Sequence, residues 1–144
     1  MKVLLDTSVL VPALVPAHDH HARCLPWLSR SASGDVRAFV ASHSLMELYA
    51  VLTALPLRPR ISPNVAARLI DESVVRHSRL VGLEPTEVAE LVDDAAGWGL
   101  TGGVVHDALI ARVARKARVD LLVTLNVSDF RRAWPDGHDR IAAP

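Results

Sequence analysis

Four carboxylates, Asp6, Glu47, Asp107 and Asp129, recur at equivalent points of a repeating strand and helix pattern. Asp6 ends the apolar run Val3-Leu4-Leu5. Glu47 lies one turn into the helix that follows Ala38-Phe39-Val40-Ala41. Asp107 opens a long helix, and Asp129 follows the run Leu122-Val123-Thr124. Each acid alone has an ordinary explanation. Asp6 can cap the next helix, since Asp and Thr are good N-caps. Ser44-Leu45-Met46-Glu47 has the form of a capping box. Asp107 sits where the helix dipole favours an anion. If strand ends bring the four to one edge, they repel strongly and require a cation. Hard oxygen donors suit Mg²⁺ or Mn²⁺ and not zinc. Such a centre activates water and offsets the charge of a phosphodiester, with one or two ions. Asp6, Glu47 and Asp107 can form such a centre only if they share one surface.

The elements that must hold these acids can be read from apolar periodicity. Short runs that are apolar on both faces belong to a parallel sheet. Strands are expected at residues 3–5, 38–41, 79–82 and 120–124, with an edge strand at 140–142. Between them lie an apolar helix or turn at 8–15 and a helix from His18 anchored by Leu25, Trp27 and Leu28. A helix covers 45–52. Another opens on the N-cap pair Ser62-Pro63 and runs to about His77, with Val65, Leu69, Ile70 and Val74 inward. A further helix starts at Pro85-Thr86-Glu87, passes Val88, Leu91 and Val92, and ends near Gly97-Trp98-Gly99. Its acids Glu84, Glu87, Glu90, Asp93 and Asp94 read as a solvated face. The longest, 104–119, sets Leu109, Ile110, Val113, Ala114 and Ala117 opposite Arg112, Arg115 and Lys116. This alternation gives an α/β fold, in which ligands bind outside the carboxyl ends of parallel strands.

The composition limits the alternatives. With 144 residues, half of them hydrophobic and only 4% aromatic, one aliphatic domain spanning 1–144 is expected. Lys and Arg balance Asp and Glu at 16 each, so a nucleic-acid partner must be held by a local patch. The single Cys24 excludes an internal disulfide and fits a reducing compartment. His20 and Cys24 are one helical turn apart, but no second ligand cluster accompanies them to make a zinc site. Asp6, Pro12 and Pro16 interrupt the apolar start, which argues against an export signal, and no run is long enough to span a bilayer. A cytoplasmic location without membrane attachment is expected.

VLLDTSVL, the glutamate in SHSLMELYAVL, the segment GGVVHDALIARVA and LLVTLNVSDF, in that order and spacing, resemble the PIN-domain ribonucleases and among them the VapC toxins of bacterial toxin–antitoxin pairs. The resemblance runs from Met1 to about Phe130. It implies a three-layer α/β/α sandwich around a central parallel sheet. It also implies a Mg²⁺- or Mn²⁺-dependent endoribonuclease, usually a homodimer, blocked by a cognate antitoxin. By the same matching, Asp6, Glu47 and Asp107 are the first three acids of the site and Asp129 the variable fourth. Asp6 and Asp107 would hold the main ion, and Glu47 would bind through water or act as general base. Asp129 would complete the shell or recruit a second ion. Ser8, Thr124 and Asn126 would orient water or phosphate. His106 is by type a proton shuttle, or else a structural residue. Leu125 departs from the family, where many members carry arginine, and leaves the RNA groove poorer by one positive charge. Arg112, Arg115, Lys116, Arg131 and Arg132 are candidate contacts to the RNA backbone. Two other classes fit less well. A phosphotransferase or phosphatase with Asp6 as nucleophile would want D-x-D, and Ser8 occupies the second acid's place. A non-catalytic binding module would gain nothing from four like charges.

Overall fold

Along β1 (Lys2–Leu5) successive side chains enter two different cores. Val3 and Leu5 pack on one face of the sheet and Leu4 on the other. β2 (Arg37–Ala41) does the same, with Ala38 and Val40 on the first face and Phe39 and Ala41 on the second. In β4 (Leu121–Val123), Val123 joins the first core and Leu122 the second. Strands buried on both faces need apolar residues at every position, which is why they appear as unbroken runs in the sequence. β3 (Ser78–Val81) and the two-residue β5 (Ile141–Ala142) complete the sheet. The computed structural model describes residues 1–144.

All pairings are parallel and the strand order is β3-β2-β1-β4-β5. The chain builds outward from β1 through β2 to β3, then crosses back to place β4 on the other side of β1. Strand order therefore reverses between β1 and β4. At such a switch point the connections diverge to opposite faces and leave a crevice beyond the strand ends.

One helical layer contains α1 (Thr7–Leu14), α2 (His21–Ser33), α3 (Ser42–Ala54) and α4 (Pro63–Ser73). Val9, Leu10, Cys24, Leu28, Leu48, Leu52, Ala66 and Ile70 carry it onto the sheet. The other layer contains α5 (Pro85–Gly97), α6 (Val104–Ala117) and α7 (Val127–Ala133). Ile110, Val113, Ala114 and Phe130 cover the second face. This is the three-layer sandwich with a parallel core. No helix is long and apolar enough to cross a membrane.

Several local expectations shift. α2 begins at His21, not His18, and runs to Ser33, where Gly34 ends it at φ +83°. Ser62 caps α4 as its sequence indicates, accepting from Val65 N at 3.3 Å, and the helix stops at Ser73 before a 3-10 turn, Val75–His77. Its inward face is Ala66 and Ile70, followed by Val74, while Val65 is 37% exposed. In α5 the inward residues are Leu91 and Ala95, leaving Val88 and Val92 outside at 39% and 64%. Both helices lean mainly on one helical neighbour, α4 on α3 and α5 on α6, so a narrower stripe suffices than a helix pressed on a sheet requires.

Candidate active site

Asp6 stands at the carboxyl end of β1, directly beside the switch point, and its backbone N–H still pairs with Val123 O across to β4 at 3.1 Å. It is 5% exposed. A buried carboxylate must be hydrogen-bonded, and the donors are local. Ser8 Oγ donates to Oδ2 at 2.6 Å, Thr124 Oγ1 donates to the same oxygen at 2.9 Å, and Ser8 N approaches it at 3.4 Å as the helix-capping contact. Each hydroxyl has one proton, and both protons go to Asp6. The 3.2 Å approach of Ser8 Oγ to Thr124 Oγ1 is therefore packing between two oxygens whose protons point elsewhere. The two hydroxyls accept in turn from Leu125 N at 2.9 Å and Asn126 N at 3.0 Å. Every donor on Asp6 falls on Oδ2. Oδ1 has no protein partner, and the only buried side-chain polar atom without a partner is Ser44 Oγ, so Oδ1 faces the opening.

The expected task of Ser8 and Thr124, orienting water or phosphate, gives way to holding Asp6. Both hydroxyls are fully occupied in fixing Asp6 and have no proton left for water or phosphate. Asn126 contributes its backbone N–H to Thr124 and is one of the residues lining the cavity.

A cavity of about 510 Å³ opens at this edge, and Asp6, Glu47 and Asp107 all line it. Glu47 arrives from α3, which follows β2 without a loop. The capping box expected around it does not form. α3 starts at Ser42 with Ala41 as its cap, so Ser44 falls inside the first turn, its hydroxyl buried and unpartnered. Glu47 is instead held by Thr7, whose Oγ1 donates to Oε2 at 3.1 Å. Nothing in the sequence marks Thr7 for this role. Its task depends on a contact 40 positions away, which no local pattern signals.

Asp107 enters from the first turn of α6. Burial, and then the negative charges of Asp6, Asp129 and Glu47, push its carboxyl from 3.8 up to about 7. The acids thus lie within each other's fields, as the clustering argument requires. Asp129 acts on Asp107 without lining the cavity, and it shares its carboxylate with Arg132 at 3.6 Å. No three His, Cys, Asp or Glu side chains are drawn close enough to clasp an ion as they stand.

Around the acids the cavity is lined by His18, His20 and His106 but by no Lys or Arg. His106 stacks on His43 of α3, rings 5.8 Å apart and 7° from parallel, which joins the openings of α3 and α6. Cys24 is fully buried in the first core, so it does not pair with His20 as a metal ligand. The candidate RNA contacts divide. Arg112 is bonded to Asp94 and Lys116 to Glu87, each at 2.5 Å across α5 and α6. With Arg115 they line a separate groove. Arg131 and Arg132 are exposed on α7 beside Asp129. The acids of α5 are accordingly only partly a solvated face.

The chain is similar in sequence to ribonuclease VapC27 of Mycobacterium tuberculosis, 37% identical over 117 residues that cover 81% of this chain and 80% of the relative. It is also similar to ribonuclease VapC40 of the same organism, 34% identical over 118 residues covering 81% of each. Its fold matches VapBC2 from Rickettsia felis, crystallised with a promoter DNA fragment, at TM-score 0.67 and 20% identity over 100% of this chain and 99% of that one. It also matches FitAcB from Neisseria gonorrhoeae at TM-score 0.65 and 23% identity, over 98% and 95%. A PIN-domain sequence profile matches residues 2–128, which takes in Asp6, Glu47 and Asp107 together with the strands and helices that carry them, and the chain belongs to the PIN-domain family.

Proposed function

We propose that this chain is a metal-dependent endoribonuclease, the toxin of a type II toxin–antitoxin pair. The observation that carries the reading is the convergence of Asp6, Glu47 and Asp107 on one cavity, with Asp107 pushed up to about 7 by burial and by the other acids. The relatives of known name are ribonucleases, which supports RNA as the polymer cut.

The donor set fits a hard divalent cation. It is all oxygen, it carries excess negative charge, and Oδ1 of Asp6 faces the cavity with its partner oxygen already fixed. Asp6, Asp107 and Glu47 would hold Mg²⁺ or Mn²⁺, with Asp129 outside them. Bound there, the ion supplies Lewis acidity toward water and toward the phosphate oxygens. Asp6 keeps its orientation through Ser8 and Thr124, so the geometry of the site does not depend on the ion. Glu47 is exposed to the cavity and oriented by Thr7, which suits it to take a proton from the attacking water. Arg131 and Arg132 are proposed contacts to the RNA backbone.

The proposed protein partners are a cognate antitoxin and a second copy of this chain. A shallow groove between α3 and α4, with Leu45, Met46, Tyr49 and Ile70 in its wall, supplies apolar surface for such association. The deciding experiment is cleavage of bulk RNA by the purified chain, free of antitoxin, with Mg²⁺, with Mn²⁺ and with chelator. Cutting in either metal and none in chelator is expected. Asp6→Asn keeps the acceptor for Ser8 and Thr124 and loses the charge. It should fold normally and cut more than about a hundredfold more slowly, since even outer-shell losses cost 10–100-fold. Cleavage by Asp6→Asn at the parent rate would refute the ligand assignment.

A further inference from the structure

The RNA cleavage cavity has an unusual balance of charge. It presents three acids and no Lys or Arg, and position 125, inside its wall, is a leucine. A phosphodiester that enters is an anion among anions. Divalent cations offset part of this at the reacting phosphate, but the flanking phosphates need donors of their own. Apart from Asn126, the side-chain N–H groups on the wall belong to His18, His20 and His106. His106 adjoins Asp107 and is stacked on His43.

His18 and His20 come from the connection between α1 and α2, which carries none of the four site acids; Asp19 between them is exposed and does not line the cavity. That connection is pinned. Pro16 has no N–H to return to the Pro12 carbonyl, which accepts from Val15 N at 3.3 Å and from His21, whose Nδ1–H donates to it at 2.8 Å. His18 N donates to Val15 O at 3.0 Å and His21 N to His18 O at 2.9 Å. The His20 backbone N–H donates to His18 Nδ1 at 3.1 Å. With Nδ1 accepting, the proton of the neutral His18 ring is on Nε2. A ring in that tautomer offers a donor, whereas a metal ligand would need a lone pair there. The His20 ring lies 5.7 Å from it, tilted 39°. Two imidazoles on a braced loop thus line a cavity whose other side chains with an N–H are only His106 and Asn126.

We propose that His18 and His20 are substrate-positioning residues. Their ring N–H groups hold the RNA phosphate flanking the scissile bond, in the place where lysine or arginine is missing. The inference rests on the ribonuclease reading of the same cavity. A hydrogen bond to a charged group contributes enough for about a tenfold effect on binding.

The test is steady-state cleavage of whichever RNA the parent cuts best, drawn from purified tRNA and rRNA, in Mn²⁺. H18F/H20F keeps two planar rings and removes every ring N–H. H18Q/H20Q keeps a side-chain N–H on each. H18F/H20F should raise KM about tenfold or more with kcat within about twofold, and H18Q/H20Q should recover most of the loss. If the double Phe variant does not share the parent's circular dichroism and thermal midpoint, the single variants H18F and H20F give the same reading. A parent that cuts while H18F/H20F matches its KM overturns the inference alone. A fall in kcat at unchanged KM also overturns it, since that assigns the rings to the chemical step. A parent that cuts no RNA in either metal removes the ribonuclease reading and this inference with it.

Discussion

Asp107 makes the metal-free site a source of instability, and replacing it with Asn should stabilise the protein while destroying its activity. Its carboxyl is pushed from 3.8 up to about 7 by burial first, then by Asp6, Asp129 and Glu47. Between about pH 4 and pH 7 the native state therefore keeps a proton that the unfolded chain has released. Stability falls as pH rises through that interval, and it is level on either side of it. At about 1.4 kcal/mol for each pH unit, the interval corresponds to a ceiling near 4 kcal/mol. Asp107 is half-buried at an open cavity, and solvent screening reduces the effect to about 2 kcal/mol. Asn cannot ionise and nearly matches the protonated acid in shape. Asp107→Asn in chelator should therefore equal the parent at pH 4 and exceed it by about 2 kcal/mol at pH 8, a rise of roughly 4–8 °C in midpoint for a chain of this size. Thermal unfolding of both proteins across that range is the assay. Adding Mn²⁺ at pH 8 should raise the parent's midpoint and leave that of Asp107→Asn nearly unchanged. Equal midpoints at every pH would show that the acids do not act on one another as the geometry indicates.

Three other substitutions probe the support around the site. Thr124→Val removes a donor to Asp6 and the acceptor for Asn126 N at a fully buried position, so it should lose roughly 1–3 kcal/mol of stability and about 10–100-fold in cleavage rate, read by denaturant unfolding and initial rates. Ser44→Ala deletes a buried hydroxyl that has no partner and should be neutral or stabilising by up to about 1 kcal/mol; a loss above that would mean the hydroxyl has a partner in solution. Gly137→Ala would drive a methyl into the ring of the buried Trp134, whose atoms lie 2.1 Å from the new Cβ, and should cost about 1–3 kcal/mol in the same unfolding assay.

What could be read in the sequence follows from how locally each feature is determined. The central strands are legible because burial on both faces leaves no polar position in Val3-Leu4-Leu5 or Phe39-Val40-Ala41. The inward faces of α4 and α5 are less so. Val65, Val88 and Val92 fit helical periodicity yet stay outside, because the width of the buried stripe is set by the neighbouring helix and not by the helix itself. Charge alone identified Arg112 and Lys116 as cations, but their partners Asp94 and Glu87 come from α5 and become visible only once α5 and α6 are packed. Thr7, His18, His20 and His43 have the same origin: each acts on the site through a tertiary contact that no spacing rule encodes.

Asp6 shows why the structural and catalytic readings of one residue need not compete. As a helix cap it must accept from the first turn of α1, and as a ligand it must present a free oxygen to the cavity. A carboxylate has two oxygens, and the fold separates them. Ser8 N, Ser8 Oγ and Thr124 Oγ1 all converge on Oδ2, which leaves Oδ1 with no protein donor. Glu47 differs, because a capping box would turn its carboxylate back toward its own helix terminus and away from the sheet edge. The start of α3 at Ser42 removes that option by placing Ser44 inside the helix, and the carboxylate is left for Thr7. The position of one helix start relative to one strand end therefore decides whether this acid belongs to the backbone or to the site. A change that moved the start of α3 by three residues, to make Ser44 its cap, should disable the site while leaving all four acids in the chain.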